Sequence, residues 1–241
     1  MVMQSRLVCY SKQTFPEDAE KRLLSYEEKD TKENKIITKI ELFEPVSFRR
    51  RSYLRGRIWH KVLREISDFQ VKNNKVYESK KEILWDRFVT FFLQQKGNLV
   101  LFSHKDEAFG FGIEKLSKAL FNNSNIIEAV EFNLKEIEKA KNKGEFQNLW
   151  THGYKKNGNI HSRMESGNDI DSDPEFRSCD EVDKSYVGIT TFYDGKDMKI
   201  KVFKSGCVHY YRSWDASRQE THHLFNIVFT FLPYCISRII E

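Results

Sequence analysis

Residues 186–194, YVGITTFYD, and 198–213, MKIKVFKSGCVHYYRS, alternate large apolar side chains with polar ones. A period of two puts successive side chains on opposite faces of an extended chain. Asp194-Gly195 separates the two segments and Ser205-Gly206 interrupts the second. Both pairs suit tight hairpin turns, which need backbone that glycine adopts at little cost. Three strands joined in this way predict an antiparallel meander. Leu224, Phe225, Val228, Phe229, Leu232, Ile236 and Ile239 then fall at helical spacing, with a bend or restart at Pro233. A meander capped by a helix points to an α+β fold, with a mixed or antiparallel sheet and helices on one face.

The upstream half alternates between element types. IITKIELFE at 36–44 predicts a strand, and the alternation of Val46, Phe48, Arg50, Ser52 and Leu54 carries an extended chain to about residue 54. From there Leu54, Ile58, Trp59, Val62, Leu63 and Ile66 fall at helical spacing, which favours an amphipathic helix over a continued strand. KEILWDRFVTFFLQQ at 81–95 predicts a helix burying Ile83, Leu84, Phe88, Phe91 and Phe92 and stopped by Gly97. NLVLFS is a continuous apolar run, the mark of an interior strand. A helix weakened at Gly110 and Gly112 follows, each glycine costing about 1 kcal/mol relative to alanine. IIEAVEFNL predicts another strand, and KEIEKAKNKGEFQNLW a polar helix broken at Gly144.

This divides the chain into a charged N-terminal segment at 1–35 with a short helix at 17–26, and an alternating part at 36–150. A polar, acidic loop region at 151–184, read as a long loop or a pair of exposed strands, and the meander with its helix at 185–241 complete it, the last forming one composite domain with 36–150. The balance of 39% apolar and 31% charged residues supports a real core and excludes wholesale disorder. With only 4 Pro and 11 Gly, most of the chain is expected to be regular, and its 19 Phe to carry much of the packing.

Cys9, Cys179, Cys207 and Cys235 lie far apart without a C-x-x-C pair, which suits neither a zinc ribbon nor a disulfide framework. The start, MVMQSRLVCYSKQ, lacks the apolar core of a signal peptide. The longest apolar stretch, LFNIVFTFLPYCI, has 13 residues, whereas a spanning helix needs about 20. A reduced, cytoplasmic protein without membrane contact is expected.

The strongest functional signal is FRRRSYLRGRIWHKVLR at 48–64, which holds seven Arg or Lys side chains and no acid. The net charge is only +5, so an electrostatic function must come from such clustering. Several cations close together release the counterions condensed on a polyanion. Arginine also forks onto phosphate and stacks on bases, and Phe48, Tyr53 and Trp59 supply rings for stacking on unpaired bases. The competing reading is that these cations only pair with acids, since residues 165–183 hold eight Asp or Glu and one Arg. The expectation is a nucleic-acid-binding protein that contacts phosphate through Arg49, Arg50, Arg51, Arg55, Arg57, Lys61 and Arg64 with weak sequence specificity, DNA slightly favoured over RNA. The acidic loop would then shield the basic face. The Lys, Asn, Ile and Phe bias suits an AT-rich genome, where an accessory part in antiviral (anti-phage) defence, or in its evasion, is the context expected.

No cofactor is expected. DIDSDPEF at 169–176 places Asp at alternate positions as a calcium loop does, but Pro174 sits where that loop turns on glycine. His222 and His223 are adjacent on a helix and project about 100° apart, which suits zinc poorly. Gly110-Phe111-Gly112 lacks the rest of a nucleotide-binding fingerprint. Two other functions compete with nucleic-acid binding. One is a metal-dependent nuclease built on Glu82, Asp86, Asp106 and Glu107 with Lys105. The other is an oligomeric or protein-interaction scaffold that uses the aromatic C-terminal helix.

Overall fold

A computed structural model describes residues 2–30, 36–72, 75–103, 108–142, 146–154, 163–166, 184–193, 196–212 and 219–236. Among these residues twelve strands form one sheet, with four helices packed on it. The strands are β1 (Val2–Ser11), β2 (Glu27–Lys29), β3 (Ile36–Phe48), β4 (Arg51–Lys72), β5 (Lys75–Gln94) and β6 (Leu99–Ser103). Then come β7 (Ile127–Ala129), β8 (Asn148–Tyr154), β9 (Arg163–Ser166), β10 (Lys184–Tyr193), β11 (Lys196–Phe203) and β12 (Cys207–Arg212). The helices are α1 (Ala19–Ser25), α2 (Phe109–Phe121), α3 (Leu134–Asn142) and α4 (Gln219–Phe231), the last followed by a 3-10 turn at Leu232–Tyr234 that contains Pro233.

The sheet runs β2-β3-β4-β5-β6-β1-β12-β11-β10-β8-β9, with β7 also paired to β1, and the described strand pairs are all antiparallel. The meander is present as β10-β11-β12. Tyr193 pairs with Lys196 across the first connection, whose Asp194-Gly195 lies outside the described residues, and Gly206 takes φ +86 in the second. The N-terminal segment contributes more than a charged lead-in. Its β1 lies in the middle of the sheet, between β6 and β12, and joins the upstream strands to the meander.

Alternation along the strands builds two cores. Val8, Tyr53, Phe92, Leu101, Val208 and Tyr210 face α3 and α4, together with Phe132, Ile137, Phe225, Val228 and Phe231. Leu7, Cys9, Leu54, Ile58, Val89, Phe91, Val100 and Phe102 face α1 and α2, with Leu23, Leu116 and Leu120. The helices therefore divide between the two faces, where the sequence pattern had placed them on one. Both faces of the central strands need cover because both are apolar.

Two expected helices are strands. Residues 54–66 continue β4 and residues 81–94 belong to β5; the two pair without interruption from Tyr53↔Gln94 to Lys72↔Lys75. Val89, Phe91 and Leu93 enter one core while Phe92 enters the other. Around residues 89–93 burial on both sides removes the polar alternation, and the apolar residues there fall at helix-compatible intervals. β3 pairs with β4 as far as His60, and β6 meets β5 only from Thr90. Among the described residues the hairpin between Lys61 and Asp86 is thus a two-stranded ribbon that leaves the sheet, about 40 Å long at some 3.3 Å per residue.

A candidate nucleic-acid interface on β3, β4 and β5

The basic segment begins at the turn between β3 and β4. Phe48 pairs with Arg51, so Arg49 and Arg50 alone make the turn, at φ 46 and φ 63. A two-residue hairpin with both central residues at positive φ matches the right-handed twist of its strands and is usually built from Asn-Gly. Here two arginines occupy it. The Arg49 guanidinium lies 5.5 Å from the Phe48 ring and 5.4 Å from that of Phe229 on α4, while Arg50 is exposed.

From the turn, β4 alternates. Tyr53 enters the core beneath α4, and Arg51, Arg55, Arg57, Trp59 and Lys61 share its parity and hence its face of the strand. The register sets Arg55 between Phe43 and Phe92, Arg57 between Glu41 and Thr90, and Trp59 between Lys39 and Phe88. The Arg55 guanidinium stands 5.4 Å from the Phe43 ring. That of Arg57 lies 5.5 Å from Phe43, 5.2 Å from Trp59 and 4.6 Å from Phe88. The Trp59 and Phe88 rings are 5.2 Å apart at 49°, and Trp59 Nε1 donates to Glu41 Oε2 at 3.2 Å. Trp59 is 37% exposed, so a large ring is held in a fixed pose at the surface.

Arg55 and Arg57 have buried Nε donors with no hydrogen-bond partner among the described residues. Among the described residues neither guanidinium is within ion-pair distance of a carboxylate. A buried donor left without an acceptor costs about 1–3 kcal/mol. The cations are therefore set against aromatic rings rather than neutralised by acids.

Six of the seven expected residues come to this face or its adjoining turn: Arg51, Arg55, Arg57 and Lys61 on the face, Arg49 and Arg50 in the turn. Lys61 meets Asp86 at 3.9 Å with both side chains largely in solvent, a pair of little worth. Arg64 pairs by main chain with Ile83 in the ribbon, and its side chain lies outside those described. Sequence reasoning missed Phe43, Phe88 and Glu41. They join the site only through the registers of β3 and β5 on β4, which are non-local.

On the opposite face the packing of α2 creates a polar cluster. Lys115 Nζ donates to Glu28 Oε2 at 2.8 Å and to Oε1 at 3.1 Å, and pairs with Glu114 at 3.3 Å. Tyr26 OH and Thr38 Oγ1 each donate to Glu28 at 2.7 Å. Burial pushes the Glu28 carboxyl up, but the bonds from Lys115, Thr38 and Tyr26 and the Lys115 charge outweigh it and hold the group at about 2. The one hydroxyl proton of Thr38 goes to Glu28, so the Thr38 oxygen accepts from His60 Nδ1–H at 2.9 Å. Burial first, and then the Lys115 charge, lower the His60 pKa against upward pulls from Glu28 and Glu114. His60 also packs on Phe111 at 5.4 Å. This cluster fastens α2 to β2, β3 and β4.

A cleft of about 240 Å³ opens where the ribbon leaves the sheet, lined by Thr38, Lys39, Trp59, His60, Asp86 and Arg87 among others. Among the described residues no three His, Cys, Asp or Glu side chains are grouped as a metal ion would require. Lys105, Asp106, Glu107 and residues 155–162 and 167–183 of the acidic region lie outside the described residues, as do the side chains of Glu82, His222 and His223, while 151–154 and 163–166 of that region are strands. His209 is buried with its ring 4.4 Å from that of Phe203, an internal packing residue. Gly112 serves close packing: a Cβ there would come within 2.8 Å of Val89 and 3.2 Å of Phe102. Phe225, Val228 and Phe229, of the helical stripe that the competing scaffold reading would use as a contact, are buried against their own sheet. Cys9, Cys207 and Cys235 form no disulfide, and among the described residues no helix is long and apolar enough to cross a membrane. Comparison of the chain with protein-family models, curated proteins and solved structures finds no match.

Proposed function

We propose that the protein binds nucleic acid through the face formed by Arg51, Arg55, Arg57 and Lys61 and through the Arg49-Arg50 turn, mostly by contacts to phosphate. The observation that carries this reading is the pair of guanidiniums at Arg55 and Arg57. They are adjacent on one face of one strand, roughly 6.7 Å apart along it, with buried Nε donors that meet no acceptor. A phosphate supplies the negative charge that these two guanidiniums do not meet among the described residues. The rings of Phe43, Trp59 and Phe88 hold the two guanidiniums in place, so little side-chain entropy is lost when the anion arrives. Contacts of this kind position a polyanion without reading bases, so sequence specificity is weak. The role is that of an intracellular binding protein rather than a catalyst.

The test is a mobility-shift titration with labelled oligonucleotides, single- and double-stranded, from 50 to 200 mM salt in Mg²⁺. The full-length protein is expected to retard the probe without cutting it, and its affinity to fall linearly on a log–log plot against salt. Arg55→Gln with Arg57→Gln is expected to weaken binding on every sequence and to make that slope shallower by roughly 1.4 to 1.8. Failure of the wild-type protein to bind either probe at 50 mM salt refutes the reading, and cleavage of the probe refutes its non-catalytic part.

A further inference from the structure

We infer that the ligand of this face is a single strand, whose unpaired bases stack on the Trp59 platform; the inference rests on the nucleic-acid reading above. Three features point the same way. The first is the surface itself. The arginines lie on a sheet, beside rings contributed by three strands: Phe43 from β3, Trp59 from β4 and Phe88 from β5. A duplex presents its bases at the floor of grooves that admit a helix or a narrow ribbon, and offers a broad sheet face nothing but phosphate. A single strand offers a π-face at every nucleotide.

The second feature is that Trp59 is presented rather than merely left outside. It is among the described large apolar side chains that reach solvent. Its orientation is set at one end by the bond to Glu41 and on one side by Phe88 and the Arg57 guanidinium. A preorganised ring loses almost no freedom on stacking, which is how aromatic side chains contribute to single-strand binding.

The third feature is Glu41. An exposed carboxylate beside Trp59 repels phosphate, yet it accepts hydrogen bonds from the amino and imino groups on base edges. Phosphates are thereby directed toward the end of the site formed by Arg49, Arg50, Arg51, Arg55 and Arg57, and bases toward Trp59 and Glu41. In a paired duplex those base edges are already engaged. A strand laid along β4 satisfies both halves of the site at once; a duplex satisfies only the cationic half.

The experiment compares a dT oligonucleotide, an unstructured RNA of equal length and the matching DNA duplex, bound to the full chain at one fixed salt concentration. Both single strands are expected to bind at least tenfold more tightly than the duplex. Trp59→Ala is expected to lower single-strand affinity roughly tenfold with the salt slope unchanged, because a stacking ring and no cation is lost. Trp59→Phe restores most of the affinity, and duplex binding is unaffected by either change. Circular dichroism establishes that the variants fold. Duplex bound as tightly as the single strands, or single-strand binding indifferent to Trp59→Ala, overturns the stacking inference and leaves the phosphate-contact reading standing. No binding to any of the three probes overturns both.

Discussion

Replacing Lys115 by methionine keeps the shape of a buried chain on α2 but deletes the cation that faces Glu28. The Lys115 side chain is 11% exposed and that of Glu28 23%, so the pair is only partly screened by water. Breaking a fully buried pair from one side costs about 3–5 kcal/mol. Glu28 keeps the hydroxyl donors of Tyr26 and Thr38, and part of it meets solvent, which brings the expected loss to about 2 kcal/mol at pH 7. Acid provides an independent reading of the same pair. Glu28 titrates near 2 in the folded protein against an ordinary 4.5, a difference equivalent to about 3 kcal/mol before screening and about 2 after it. Because the folded value is the lower one, this stabilisation is complete above about pH 4.5 and is lost as the pH falls toward 2. Without Lys115 the same carboxyl keeps its burial and loses its counter-charge, so its titration moves up. Urea unfolding of wild type, Lys115→Met, Glu28→Gln and the double variant at pH 7 and pH 3 completes the cycle. The expected coupling is about 2 kcal/mol at pH 7, and the gap between wild type and Lys115→Met narrows at pH 3. A coupling below about 0.5 kcal/mol at pH 7 would sink the argument, because the cluster would then be no more than a solvated surface contact.

Two further outcomes follow from backbone geometry. A Cβ at Gly56 would lie 2.5 Å from Phe91 Cζ and 2.8 Å from the Glu41 carbonyl oxygen, so Gly56→Ala is expected to cost about 3 kcal/mol, read as a drop in Tm of roughly 8 °C; an unchanged Tm would mean that β3 and β5 separate freely around β4. At the turn, Arg49→Asn with Arg50→Gly suits φ 46 and φ 63 better than two arginines do. This variant is expected to be about 1 kcal/mol more stable in urea and to bind nucleic acid more weakly with a shallower salt slope; a loss of stability would contradict the strain argument.

Several elements were legible because their signals are local. The Ser205-Gly206 turn, the interior strand NLVLFS, the C-terminal helix with its change at Pro233 and the helix over 109–121 all depend on neighbours within a few residues. The segments 54–66 and 81–94 were misread for the opposite reason. Their strand character comes from a partner up to about forty residues away, and around residues 89–93 burial on both faces erased the alternation that identifies a strand. The central place of β1 was invisible for a related reason, since its partners β6, β7 and β12 are far along the chain.

The candidate site divides in the same manner. Seven cations without an acid between residues 48 and 64 is a property of composition, evident before any fold is known. So is the α+β mixture, which needs only periodicity and turn residues. Tertiary structure decided that Arg55 and Arg57 share one strand face, that Phe43 and Phe88 stand beside them, and that no acid of the described chain reaches them. A side chain's identity and its charge belong to one residue, whereas its neighbours are chosen by cross-strand register, and register is settled by burying two whole faces of a sheet at once.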